Sequence, residues 1–331
     1  MDNTVTKSDG NGRQIMDGLK GIVTTPEFLI FVVVIILFII GAVVNPRFIG
    51  IENLKILTRD TAILAIVAIG VGFTIITAGI DLSLGSIIGL GGVLTAYFVV
   101  KMELPLVVGI LLTFGVAVAI GIFHGMYVTK LRMHGFLVTL VTLGVARGAI
   151  LVLTNGFPIT GVPDSFAYLG QGFLFGIVPV PVAICIVVAL LAHYLLRYTY
   201  IGRQIYAAGG NIEATRLSGV NVDARIILCY IISVVCASLV GIIQAGRLSL
   251  GHPGAGEGFE LLAITACILG GLSLMGGQGT ILGVLVGSLL IGVLQNEMVM
   301  LNINPFWHRI VIGGVLLFAI TFDYGRRRRQ R

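Results

Sequence analysis

Long apolar runs, separated by short polar segments, make up most of the chain. A helix needs about 20 apolar residues to cross a bilayer core about 30 Å thick. Ten runs approach that length, at residues 28–44, 61–79, 82–100, 106–128, 136–153, 173–196, 226–245, 259–274, 279–299 and 307–322. The pattern predicts an all-α polytopic membrane protein with about ten transmembrane helices.

The polar segments between these runs predict the domain organisation. We expect an N-terminal tail at residues 1–25, a membrane domain at 26–323 and a basic tail at 324–331. Charged and apolar residues mix at 51–60, which predicts a short interfacial helix, and residues 154–171 read as a long loop. Basic residues are concentrated in the segments that lie inside when both termini are cytoplasmic, which predicts that orientation.

One interruption of the apolar pattern carries a charge. Asp81 is the only charged residue between positions 61 and 100, and Ser83 and Ser86 follow it. A carboxylate within a membrane span costs about 2.5–3.5 kcal/mol on insertion scales, so it needs a partner or water. Asp81 and Ser83 are also good N-cap residues. We expect one helix to end near Gly79 and the next to start at Asp81 or Ser83. Asp81 is then a helix cap, a contact on a translocation path, or both.

A second interruption suggests an internal repeat. Residues 61–92 and 263–287 both read as an apolar helix, a polar break and a Gly-rich helix. Interrupted spans at matching places in two halves indicate a transport pathway, whereas close helix packing produces the same glycines. Both interpretations stay open, and the first predicts a two-fold internal repeat.

Composition and charge narrow the class further. The chain is 57% hydrophobic and only 11% charged, whereas a soluble domain carries about 25% charge. The net charge of +6 comes from basic residues between the spans, which argues for membrane orientation and against nucleic acid. The cysteines and histidines show no metal-ligand spacing, and no phosphate-binding loop is present. We therefore expect no metal, no cofactor and no ATP hydrolysis by the chain itself.

The most polar internal segment spans residues 197–225. Residues 212–218 can form about two helical turns, closed by Gly219, a residue type that is favoured just past a helix end. Such a helix on the cytoplasmic surface either fits a groove in another protein or is a solvated connection that only sets topology.

Three motifs resemble those of ribose-type ABC sugar permeases. The run Gly-Ile-Asp-Leu-Ser-Leu-Gly-Ser at residues 79–86 is similar to a motif of that family. So are Ala-Ala-Gly-Gly-Asn at 207–211 with Ser-Gly-Val at 218–220, and the glycine-rich run at 268–280. Their order over residues 45–323 makes the resemblance specific. It implies a type II ABC importer-like permease subunit of the bacterial inner membrane, for a monosaccharide or a related polyol.

The resemblance also implies partners and the residues that meet them. The partners are a separate ABC ATPase that supplies the energy, a periplasmic sugar-binding protein, a second permease copy (identical or a paralogue) and membrane lipid at the basic tail. The candidates for ATPase coupling are Gly209, Gly210, Asn211, Glu213, Arg216, Ser218 and Gly219. The candidates for binding-protein contact are Arg247, His252 and Glu257.

Two departures from the family pattern concern the spans. Leu84 stands where the family usually has Val, and Gln-Asn-Glu at residues 295–297 stands where relatives usually read Asn-Gly. Glu297 thus places a carboxylate in the ninth predicted span, and Arg147 places a cation in the fifth. An ion pair between Arg147 and Glu297 is one hypothesis. The candidates for the translocation path or the helix break are Asp81, Ser83, Ser86, Arg147 and Glu297.

Two other functions remain alternatives. An ion-coupled secondary transporter would use Asp81, Arg147 and Glu297 as coupling charges. An ABC permease could also carry another small polar solute, such as a nucleoside, an autoinducer or a branched-chain amino acid.

Overall fold

The structure, a computed structural model, describes residues 26–328. The α-helices within them are α1 (Pro26–Val44), α2 (Ile51–Ile76), α3 (Leu84–Ala96), α4 (Leu106–Thr129), α5 (Gly135–Thr154), α6 (Asp164–Gln171), α7 (Val180–Tyr198), α8 (Tyr200–Gly210), α9 (Ile212–Leu217), α10 (Val222–Leu248), α11 (Phe259–Leu269), α12 (Ile281–Met300) and α13 (Pro305–Arg328). A 3₁₀ turn follows α1 at Pro46–Ile49, and a π-helical turn extends α3 at Tyr97–Lys101.

The strands in the described chain are short. Strand β1 (Ile159–Thr160) pairs antiparallel with β4 (Leu250–Gly251), and β2 (Phe173–Leu174) pairs with β3 (Val178–Pro179). The β1–β4 pair joins the segment after α5 to the end of α10, while the other pair is a hairpin that leads into α7. Because Pro179 precedes α7, that helix starts several residues later than the apolar run does.

The all-α multi-pass class is confirmed. Within the described residues, α2, α3 with its π turn, α4, α5, α7, α10 and α12 are long and apolar enough to cross a membrane. Three shorter apolar helices lie at Phe28–Val44, Phe259–Leu269 and Pro305–Phe318. Each predicted apolar run therefore corresponds to an apolar helix. The tail at residues 1–25 and the last three residues, 329–331, lie outside the described residues.

Three boundary predictions are wrong. Residues 51–60 do not form a separate interfacial helix but the first turns of α2, because neither glycine nor proline interrupts the chain there. The predicted loop at 154–171 contains helix α6, which starts directly after Pro163. The predicted span at 259–274 ends at Leu269, where Gly271 adopts a φ of +87°. At 11 residues, α11 is about 16 Å long, too short to cross the bilayer core.

Helix α10 runs through the centre of the molecule and packs against α2, α3 and α4. At two glycines of α3, the contact between α10 and α3 brings the two backbones close together. A Cβ at Gly92 would lie 2.7 Å from the carbonyl oxygen of Gly241, and one at Gly91 would lie 2.8 Å from that of Ser238. Small residues thus bring the two backbones together, as is common between membrane helices.

Candidate functional site

The break between α2 and α3, at residues 77–83, is built around Asp81. This carboxylate is fully buried. Its Oδ1 accepts hydrogen bonds from the Ser83 amide at 2.9 Å and the Ser83 hydroxyl at 2.6 Å, and its Oδ2 accepts one from the Ser233 hydroxyl at 2.8 Å. Ser233 lies on α10. Both carboxylate oxygens are therefore occupied, and Asp81 fastens the break to the central helix.

The predicted capping role is only partly right. Helix α3 begins at Leu84 with Ser83 as the N-cap residue, but no side chain caps its free amides. The Ser83 hydroxyl instead donates to Asp81, and the Ser86 hydroxyl donates to the Ser83 carbonyl at 2.7 Å. Ser83 and Ser86 are buried like Asp81, and the hydrogen bonds of the three side chains stay within the break or reach α10.

Two residues that the sequence reasoning missed complete the surroundings of the break. Thr139 of α5 accepts a hydrogen bond from the Leu82 amide at 3.1 Å. Tyr230 of α10 is fully buried, and its hydroxyl lies against Gly79, where a Cβ would come within 2.8 Å of it. Polar residues inside apolar spans were the available signal for both. The break is thus enclosed between α5 and α10.

The second break, at residues 270–280 between α11 and α12, contacts the first. The Gly277 amide donates to the Ile76 carbonyl, the last residue of α2, at 2.8 Å. Gly276 and Gly277 adopt φ values of +83° and +72°, which favour glycine. The two helix–break–helix segments that the sequence indicated therefore exist and meet. Their helix lengths differ, however, since the longer helix precedes the first break and follows the second.

Helix α8, which belongs to the polar segment, contacts the end of α2 and the second break. A Cβ on Gly209 would collide with the Ile76 carbonyl and lie 2.6 Å from the Gly277 amide. The Tyr206 hydroxyl donates to the Gly279 carbonyl at 2.7 Å. Burial raises the pKa of Tyr206, an effect that Arg197 opposes, so the phenol keeps the proton it donates. The end of α8 thus lies directly on the two interrupted segments.

The predicted helix in the polar segment is confirmed as α9. The Asn211 side chain caps it by accepting from the Ala214 amide at 2.9 Å, and the Ser218 hydroxyl donates to the Ala214 carbonyl at 2.9 Å. Gly219 follows with a φ of +81°. Of the remaining candidates, Glu213 and Gly210 are exposed.

An ionic cluster anchors α9 to the membrane helices. Arg216 donates to Asp223 at 3.0 Å, and Lys130, just past α4, donates to the same carboxylate at 2.9 Å. Leu217, the last residue of α9, keeps 88% of its surface exposed. The helix is therefore fixed at its base and presents an apolar side chain outward.

Arg147 and Glu297 do not form the hypothesised ion pair. The Arg147 guanidinium donates to the carbonyls of Pro253 at 2.6 Å, Ala255 at 3.2 Å and Gly85 at 3.2 Å. It thereby clamps the loop after β4 onto the start of α3. Glu297 lies elsewhere, on α12 beside Gly41 of α1.

The three candidates for binding-protein contact lie near the end of α10 and the loop after it. Arg247 belongs to the last turn of α10 rather than to the loop, and it forms an ion pair with Asp60 of α2. His252 is exposed and accepts from the Gly254 amide at 3.0 Å. Glu257 is exposed and lies 3.7 Å from Arg309.

Interrupted membrane helices, in contact with a helical segment outside them, define this chain as a multi-pass membrane transport component. A family model described as branched-chain amino acid transport system / permease component matches residues 53–320. The chain belongs to this family of ABC-importer permease components, which are inner-membrane proteins and not enzymes. The family implies an ATPase and a periplasmic binding protein as partners.

Several relatives with curated descriptions are sugar permeases. The chain is 41% identical to the ribose import permease protein RbsC of Haemophilus influenzae over 297 residues, which cover 88% of this chain and 91% of the relative. It is 39% identical to RbsC of Bacillus subtilis, over 88% and 91% of the two chains. It is 34% identical to the L-arabinose transport system permease protein AraH of Escherichia coli, over 92% of each. No solved structure matches the chain. The resemblance to ribose-type ABC permeases is thus confirmed.

Proposed function

We propose that this chain is the permease subunit of an ABC importer for a monosaccharide or a related polyol. The likeness to ribose and arabinose permeases over most of their length supports the substrate class. The contact of α8 with the last residue of α2 and with the second break is the structural observation that supports the mechanism. The permease itself supplies the path, and a separate ATPase supplies the energy.

In this proposal α9 docks in a cleft of the ATPase. The exposed side chains of Leu217 and Ile212 provide the apolar contact, and the anchored Arg216 keeps the helix oriented. When the ATPase moves α9, helix α8 moves with it and pushes on the two breaks through Gly209 and Tyr206. Rearrangement of the breaks then opens or closes the path.

The proposed orientation places both termini and the α8–α9 segment in the cytoplasm. The loop that Arg147 clamps then lies on the periplasmic side, with Arg247, His252 and Glu257 near the surface that receives the binding protein. Residues 26–323 form the permease domain between the two tails, and two permease copies, identical or paralogous, face each other across the path.

Reconstitution tests this function. We expect sugar uptake into proteoliposomes only when the ATPase, ATP and the binding protein are all present. Uptake by the chain alone, driven by a proton or sodium gradient, would contradict the proposal and favour an ion-coupled transporter. Thermal-shift screening of the partner binding protein against monosaccharides, polyols, nucleosides and amino acids would identify the solute. If neither monosaccharides nor polyols shift its Tm, the proposed substrate class is wrong.

A further inference from the structure

A small cavity lies where α1 and α12 end. Its volume is about 30 Å³. It is lined by Ile40, Gly41 and Val44 of α1, by Asn45 and Phe48 just after that helix, by Glu297 and Met300 of α12, and by Leu301. A cavity holds a water molecule from about 10–15 Å³ measured in this way. The space therefore accommodates an unhydrated or singly hydrated ion, and nothing the size of a sugar.

The Glu297 carboxylate lies in the wall of this cavity without a counter-charge. Only 9% of the residue is exposed, and its buried Oε1 has no hydrogen-bond partner among the described residues. None of the ion pairs between residues 26 and 328 involves Glu297. A charge buried in this way is costly unless something pairs with it.

The cavity is also electronegative because of its position. Helices α1 and α12 both end at this cavity, so the partial negative charge of two helix C-termini acts on it. The Asn45 side-chain amide donates to the Met300 carbonyl at 3.2 Å, which joins the two ends. No basic side chain of the described chain lines the space. A carboxylate and two helix C-termini therefore act on the same small volume.

We propose that this cavity binds one monovalent inorganic cation, held by the Glu297 carboxylate of α12 and by carbonyl oxygens at the end of α1. Oxygen ligands suit a hard cation, and one positive charge balances one carboxylate. A calcium ion takes 6–8 oxygen ligands, usually from several carboxylates, and only one carboxylate is present here. The bound cation would fasten α1 to the core. This inference does not depend on the proposed transport function.

Thermal unfolding of the purified full-length chain in detergent tests the site. The Tm would be measured in sodium, potassium and choline chloride at equal ionic strength. We expect a saturable rise of a few degrees in sodium or potassium relative to choline, because a ligand that binds only the folded state stabilises it. Glu297→Gln should abolish the cation dependence. Glu103→Gln removes an exposed carboxylate that does not line the cavity and should keep the cation dependence.

An equal Tm of the wild-type chain in all three salts would overturn the proposal. So would a cation response that survives in E297Q, or a Tm of the wild-type chain that responds to pH but not to the choice of cation. If E297Q does not fold, Gly41→Ala decides, because its Cβ would lie 3.0 Å from Glu297 Oε1 and narrow the cavity. Its matched control is Gly115→Ala, where a Cβ would contact nothing within 4 Å. G41A should weaken the cation response and G115A should not; an unchanged response in G41A would overturn the proposal.

Discussion

At the scale of single residues, glycines decide how closely the first break packs. The Tyr230 hydroxyl is buried and has no hydrogen-bond partner in the described part of the chain. It lies between Gly79 and Gly135, and a Cβ on Gly135 would collide with it. The phenol therefore fits only because positions 79 and 135 are glycines without a Cβ. Its hydroxyl fills space here and forms no hydrogen bond with the described residues.

We expect Gly135→Ala to destabilise the chain by about 1–3 kcal/mol, the usual cost of overpacking a filled core, and to lower the Tm accordingly. Tyr230→Phe should be close to neutral, because it removes an unpaired hydroxyl. The double variant should regain most of the loss, since the colliding atom is absent.

Gly144→Ala is the matched control for this double-variant cycle. It lies on the same helix, and a Cβ there would contact nothing within 4 Å. Thermal unfolding of all four variants measures the coupling. If the Tm falls equally in G135A and in the double variant, the new methyl group does not collide with the Tyr230 hydroxyl.

The residue scale also shows where sequence reasoning stops. A lone charge in an apolar run, followed by two serines, was enough to predict a helix break around Asp81, with a cap and a path contact as its alternative roles. Its partner Ser233 lies 152 positions further along the chain, and no spacing rule relates them. For the same reason the Arg147–Glu297 pairing was wrong, because sequence gives the charges of two residues but not the distance between them.

At the scale of elements, the end of α8 forms the link between the polar segment and the breaks. Gly209 and Gly210 are adjacent in sequence but differ in surroundings. A Cβ on Gly209 would collide with the last turn of α2, whereas one on Gly210 would contact nothing within 4 Å. The link therefore depends on one of the two glycines.

We expect Gly209→Ala to reduce ATP-driven sugar uptake at least tenfold in the reconstituted importer, because the new methyl group displaces α8 from the end of α2 and from the second break. Gly210→Ala should transport at close to the wild-type rate. Uptake and ATP hydrolysis would be measured together in proteoliposomes. Equal uptake by the two variants would contradict the role given to this contact.

Element types were more predictable than element ends. Apolar runs gave every long helix, since length and hydropathy decide which segments can span a bilayer. The end of α11 at Leu269 depends on the glycines after it and on the packing of the break against α2. The start of α2 at Ile51 depends on the absence of any helix-breaking residue, which outweighs the charges that had indicated an interfacial helix.

At the scale of the whole molecule, topology is the prediction that most needs a direct test. The four cysteines are all buried, so the native chain offers little background for labelling with an impermeant maleimide. Ser218→Cys, after α9, should react only after the cells are permeabilised. Phe157→Cys, in the exposed segment after α5, should react in intact spheroplasts. The reverse pattern would contradict the cytoplasmic position of α9.

The molecular class was readable from composition, but the solute is not readable from this chain. A hydrophobic share of 57% leaves few polar side chains, and those around the breaks bond mostly to one another and to the backbone. In the proposed importer the solute is selected by the binding protein, so the residues that distinguish one sugar from another lie on a different polypeptide.

The glycine seam between α3 and α10 has a mechanical consequence. Where Gly91 and Gly92 meet Ser238 and Gly241, backbone touches backbone, so neither helix can slide or rotate without lifting off the other. We expect α3 and α10 to travel as one rigid body through any transport cycle. Any hinge must then lie outside this unit, and residues 77–83, directly before α3, are one place where helical hydrogen bonding is interrupted.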